Sequence, residues 1–132
     1  MQIGDFKTDE LFSFRAADTL WGEKVRVFVE FNDDYDPYDT LVSYLEVINE
    51  RLSWLAENRA AAAAVLIEDG IHDRLRVSAE ELSEKIKPDE VVVYCDDGRD
   101  NVWTDLFVKY GETSVQLTLS PENTLESKGI CS

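Results

Sequence analysis

The sequence predicts an α+β fold in which two or three helices pack on one face of an antiparallel sheet of about five strands. Three observations support this: alternating apolar residues near the start, a helical apolar stripe in the middle, and alternating or apolar segments again near the end. The 132 residues suit one domain. We expect this single domain over residues 1–120, and a C-terminal tail over 121–132 that frays because it has little to pack against.

The first two strands form a predicted N-terminal hairpin over residues 10–15 and 24–31. In the second strand, Val25, Val27 and Val29 alternate with polar or larger residues, which is the period of a sheet with one buried face. Gly22 lies between the two segments and suits a turn. An antiparallel hairpin is therefore the simplest arrangement.

The central helix is predicted over residues 39–56, and the rest of the chain must pack against it. Asp39 suits the N-cap, because its carboxylate can accept hydrogen bonds from the free amides of the first turn. Residues 59–69 are helical again by alanine content, and one long bent helix over 39–69 is the alternative to two helices. The apolar stripe consists of Leu41, Leu45, Ile48, Leu52 and Leu55.

A short helix and three strands complete the predicted fold. Ser78 and Glu81 form a capping box, so a helix should run from there to about Lys87 and end at Pro88. Three strands then follow as a meander over residues 90–95, 102–110 and 114–119. The sequence thus gives the order hairpin, helices, three-stranded meander.

The net charge restricts the classes of partner. Thirteen Lys and Arg residues stand against 28 Asp and Glu residues, which gives a formal net charge of −15. This charge repels nucleic acid and anionic membranes and attracts basic proteins. Without a signal sequence or a long apolar run, we expect a cytoplasmic protein that binds neither nucleic acid nor membrane. The oligomeric state cannot be read from the sequence.

Two acidic segments hold the candidate partner-binding residues. The first segment, which begins at Asp33, does not match the calcium-binding loop of an EF-hand. With that loop started at Asp34, Asp39 occupies the position that requires Gly and Leu45 the position that requires Glu. His72 is the only histidine and belongs to no nucleophile motif, so we expect no catalytic residue, no metal and no cofactor. The candidates are Asp33, Asp34, Tyr35, Asp36, Tyr38 and Asp39 in the first segment, and Asp96, Asp97 and Asp100 in the second.

Three short stretches resemble small acidic bacterial domains of the toxin-immunity type. They are Ser78-Ala79-Glu80-Glu81-Leu82, Pro88-Asp89-Glu90-Val91 and Tyr94-Cys95-Asp96-Asp97-Gly98, and with the order of elements the resemblance covers residues 20–120. It implies a small cytosolic immunity or accessory protein and brings no catalytic residues with it.

These observations favour a protein-binding module, namely an immunity-type inhibitor that occludes a basic, nuclease-like toxin domain through an acidic surface. The alternative is a housekeeping or regulatory domain whose acidity only maintains solubility. An enzyme would require distant carboxylates to converge in one pocket.

Overall fold

A computed structural model describes residues 1–31, 37–95 and 98–131. Its strands form a single seven-stranded sheet whose spatial order follows the chain order. The strands are β1 (Lys7–Thr8), β2 (Phe14–Leu20), β3 (Glu23–Glu30), β4 (Lys87–Tyr94), β5 (Trp103–Tyr110), β6 (Thr113–Leu119) and β7 (Leu125–Ile130).

The helices lie between β3 and β4 in the chain, after a short 3-10 turn at Ile3–Asp5. Four α-helices are present in the described ranges, so the α+β class is confirmed with one or two more helices than expected. None of these helices combines the length and the apolar content that a bilayer crossing demands. They are α1 (Pro37–Glu57), α2 (Arg59–Glu68), α3 (Ile71–Arg74) and α4 (Ala79–Lys85).

The sheet is mixed, which corrects the prediction of an antiparallel sheet of about five strands. β3 and β4 pair in parallel, from Arg26 opposite Glu90 to Glu30 opposite Tyr94, while the other neighbouring strands pair antiparallel. Parallel neighbours need a long crossover connection. The helical segment provides it, so the hairpin and the meander join through their inner strands. The first strand of the hairpin is β2 at Phe14–Leu20 and not residues 10–15, which corrects that predicted boundary.

One side of the sheet forms the core with the helices. Val25, Val27 and Val29 on β3 are at most 3% exposed, whereas the intervening Arg26 is exposed. Leu41, Ile48 and further residues of the predicted α1 stripe fill the same core. The period-two and helical patterns therefore identified the buried faces of β3 and α1 correctly.

Two helices, and not one long helix, span residues 37–68. Asn58 separates α1 from α2, and its side-chain Nδ2 donates to the carbonyl of Trp54, 2.7 Å away, in the last turn of α1. This bond satisfies a carbonyl that has no partner within the helix, which is a common way for a helix to end. The alternative of one bent helix is wrong.

Two predictions about α4 need correction: the second hydrogen bond of the capping box and the residue at which the helix ends. Ser78 caps α4 as expected by accepting from the Glu81 amide at 3.1 Å, but the Glu81 side chain accepts from Lys85 at 3.0 Å. The helix ends at Lys85, and Pro88 lies inside β4, where the register with β5 shifts. A proline is tolerated at such an irregularity because it is not required to donate there.

Part of the C-terminal tail is ordered in the sheet, which corrects the expectation that residues 121–132 fray. β7 pairs with β6 from Leu119 opposite Leu125 to Val115 opposite Ile130. Arg51 of α1 is only 5% exposed and donates to the carbonyl of Ser120 at 2.9 Å. It also donates to the carbonyl of Pro121 and to Oδ1 of Asn123, so α1 fixes the turn that precedes β7.

Replacing Arg51 with Met should lower the free energy of unfolding by about 3 kcal/mol, because three acceptors in the β6–β7 turn lose a buried, charged donor. Urea denaturation measures this change. Arg99→Met removes an exposed guanidinium and should alter stability by less than about 0.5 kcal/mol. An equal effect of both substitutions would contradict the anchoring role of Arg51.

Replacing Thr104 with Val should raise the free energy of unfolding by about 1 kcal/mol. Thr104 is fully buried, and its hydroxyl has no hydrogen-bond partner among the described residues. Valine has nearly the same shape and suits a strand, so only the cost of burying the hydroxyl is removed. A loss of stability in urea denaturation would show that the hydroxyl is hydrogen-bonded in solution.

Candidate functional site

The parallel pairing of β3 with β4 brings the starting points of the two acidic segments together. Glu30 and Tyr94 are opposite each other at the ends of these strands, and the Cys95 amide donates to the Glu30 carbonyl at 2.9 Å. Segments 32–36 and 96–97 follow at once in the chain. Their candidate residues lie outside the described ranges: Asp33, Asp34, Tyr35, Asp36, Asp96 and Asp97.

The three described candidates lie near the same end of the sheet. Tyr38 and Asp39 occupy the first turn of α1, which begins at Pro37, so Asp39 is not the N-cap that we expected. Asp100 is exposed and follows Gly98, whose amide donates to the Tyr44 hydroxyl of α1 at 2.9 Å. This bond joins the start of α1 to the segment that carries Asp100.

The outward face of α1 adds carboxylates that the sequence analysis left out of the site. Glu46, Glu50 and Glu57 are exposed and continue the line of Asp39 at intervals of seven, four and seven residues. We call these four residues the acidic stripe. The one cation of α1, Arg51, faces inward. The helical period of the acidic residues, and the absence of outward Lys or Arg, could have revealed this stripe.

The chain's own cations neutralise other carboxylates. Within the described ranges, Glu46, Glu50 and Glu57 take part in no ion pair. Glu46 and Glu57 therefore present negative charge that no described ion pair neutralises, whereas Glu50 also attracts the buried Arg51 and raises its pKa against the effect of burial. The Lys and Arg pairs are Arg15–Asp9, Arg26–Asp89, Arg26–Glu90, Lys85–Glu81, Lys87–Glu23 and Lys128–Glu126, with N···O distances between 3.0 and 3.9 Å.

Exposed apolar side chains lie beside the acidic stripe. Val42 is 59% exposed, and Tyr38 is 48% exposed although its ring packs edge-on against Phe14 at 5.1 Å between centroids. Trp54 is half-buried and lines a shallow groove with Glu46, Glu50 and Glu57. Apolar and aromatic anchors within a charged rim are typical of protein interfaces.

A groove of about 1390 Å³ lies on the opposite side of the sheet, between residues 9–12 and strands β2 and β3. Asp9 and Glu90 both line it. The Asp9 carboxylate accepts from the amides of Leu11 and Phe12 and lies 3.8 Å from Arg15. Burial raises the pKa of the Glu90 carboxyl, and Arg26, 3.4 Å away, acts in the opposite direction.

The other candidates for chemistry are dispersed. His72 lies on α3, where its Nε2 is 3.6 Å from Asp73. Its buried Nδ1 has no hydrogen-bond partner among the described residues, so no nucleophile is paired with it there. Across the same residues, no group of three or more His, Cys, Asp or Glu side chains could hold a metal ion. The most distinctive described surface is the acidic stripe.

The fold and this surface define an acidic α+β protein with one strongly anionic helix face. No family model matches the chain, and no curated protein or solved structure is significantly similar to it. A function is therefore inferred from the surface alone.

Proposed function

We propose that this chain is a protein-binding module of the immunity type, which inhibits a basic, nuclease-like toxin domain by covering its active cleft. The proposal depends on one observation: the acidic stripe lies on an exposed helix face that carries no cation. Tyr38 and Val42 beside the stripe supply apolar contacts, and Asp100 extends the acidic surface at the loop end.

The dimensions of the stripe suit such a partner. Asp39 and Glu57 are separated by about 27 Å along the helix axis, at about 1.5 Å per residue. A nuclease is positively charged where it binds phosphates, so an anionic ridge of this length can occupy the same surface. Long-range attraction between the two charges speeds their encounter, and the apolar contacts slow dissociation.

The distribution of charge favours recognition over solubility. Acidity that only maintains solubility needs no particular location, but the basic residues here concentrate on the sheet side and leave α1 anionic. The strand register and the Lys128–Glu126 ion pair place seven cations on the sheet face opposite the helices, namely Lys7, Arg15, Lys24, Arg26, Lys87, Lys109 and Lys128.

The triple variant Glu46→Gln, Glu50→Gln, Glu57→Gln should bind the basic partner at least about tenfold more weakly. Each exposed ion pair contributes about 0.5 kcal/mol, and three such losses amount to roughly one decade in affinity. The partner is captured on the immobilised chain from the native host at low ionic strength. The captured protein should be basic, should cleave nucleic acid, and should lose that activity when the chain is added.

A matched control changes the same number of charges elsewhere. Glu80, Glu84 and Glu112 are exposed on α4 and the β5–β6 turn, and their replacement by Gln should leave binding within about twofold. If both triple variants weaken binding equally, net charge and not the stripe is responsible, and the proposed interface is wrong. Binding of the wild-type chain that does not weaken with salt would contradict the electrostatic mechanism.

A further inference from the structure

The sheet face opposite the helices carries a row of large apolar side chains. No described helix covers this face, which we call the open face. It consists of the outward side chains of β1 to β7, among them Phe28, Glu90, Val92, Trp103, Asp105 and Phe107. The register places Phe28 beside Val92 on the neighbouring strand. Val92 is only 2% exposed. Trp103, at the end of β5, is 43% exposed.

A short loop forms a raised edge on this face. The Asp9 carboxylate holds the loop by accepting from the amides of Leu11 and Phe12, and the ring of Phe12 lies 4.8 Å from that of Phe28. Leu11 is 86% exposed. Leu11 therefore adds an exposed apolar side chain at the edge of the open face, next to the Phe12–Phe28 contact.

The charge of the open face differs from that of α1. The half formed by β1 to β3 carries four cations against Glu30 and the Asp9 carboxylate that pairs with Arg15, whereas the half formed by β4 to β7 carries both signs in nearly equal number. The cations of the first half are Lys7, Arg15, Lys24 and Arg26. The second half has Asp89, Glu90, Asp105 and Glu126 with Lys87, Lys109 and Lys128.

The near balance of positive and negative charge on the open face favours a second copy of this chain as its partner. A basic protein is attracted more strongly to the acidic stripe than to the open face. Two chains of net charge −15, by contrast, can approach each other at the open face with little local repulsion. A two-fold axis parallel to the strands and along β4 would place β1 to β3 of one copy over β5 to β7 of the other, so that the cationic half faces Asp105 and Glu126. We propose that the open faces of two copies of this chain pack together to form a symmetric dimer.

The area of the open face is sufficient for this interface. Six strands of six to eight residues and one of two residues form the sheet. With about 4.8 Å between strands and about 3.3 Å per residue, the face covers roughly 700 Å² per copy. Two copies therefore bury about 1,400 Å², which is within the usual range for stable protein interfaces.

Sedimentation equilibrium of the full chain tests the dimer directly. Between about 5 and 500 µM the mass should rise from 15.1 kDa toward twice that value. Added salt should strengthen the association because it screens the repulsion between two acidic chains. Binding of a basic partner should weaken with salt, so the dimer and the proposed function can fail independently.

Trp103→Glu should weaken the dimer at least about tenfold, because it places a charge in the interface. Leu11→Ser should weaken it severalfold, and since Leu11 is 86% exposed this change does not threaten folding. Val42→Glu makes the same type of change at a 59% exposed position on α1 and should leave the dimer intact.

Three results would overturn the proposal. A chain that stays monomeric up to about 500 µM has no such dimer, and its open face is then free for another protein. A dimer that neither Trp103→Glu nor Leu11→Ser weakens uses another surface. A dimer that Val42→Glu weakens as much as Trp103→Glu is sensitive to net charge and not to the open face.

Discussion

The parallel pairing of β3 with β4 determines the arrangement of this protein. Strands that run in the same direction cannot be joined by a tight turn, so the chain between Glu30 and Lys87 has to cross one face of the sheet. All four described α-helices lie in that connection, which is why one sheet face is covered and the other is open. The same pairing places the ends of β3 and β4, Glu30 and Tyr94, opposite each other.

From this arrangement the protein acquires two surfaces of different character. α1 presents carboxylates outward. Its single cation, Arg51, points inward and donates hydrogen bonds to the β6–β7 turn. The sheet side holds cations in pairs with Asp9, Asp89 and Glu90, and it keeps aromatic residues between them. The net charge of −15 is therefore unevenly distributed, and we infer a separate binding partner for each surface.

Local patterns in the sequence predicted the α+β class, the buried face of β3, the stripe of α1 and the Ser78 cap, because these depend on near neighbours. The β3–β4 pairing joins residues 64 positions apart, such as Arg26 and Glu90, and leaves no local signal, so the sequence analysis predicted the wrong direction for this pair. The turn that leads into β7 is held by hydrogen bonds from Arg51, which lies some 70 residues earlier in the chain, so the sequence near β7 gives no sign that this strand is ordered. Of the candidate site, Tyr38, Asp39 and Asp100 could be named from the acidic and aromatic residues of two short segments, whereas the sequence analysis did not include Glu46, Glu50 and Glu57.

Labelling of carboxylates with a carbodiimide and an amine, read by mass spectrometry, tests most directly whether α1 contacts a cationic partner. The chain is labelled alone and in complex with the basic protein that it retains. Glu46, Glu50 and Glu57 should lose reactivity in the complex, while Glu80 and Glu84 on α4 keep theirs. Unchanged reactivity along α1, or an equal loss at all five positions, would contradict recognition through this helix face.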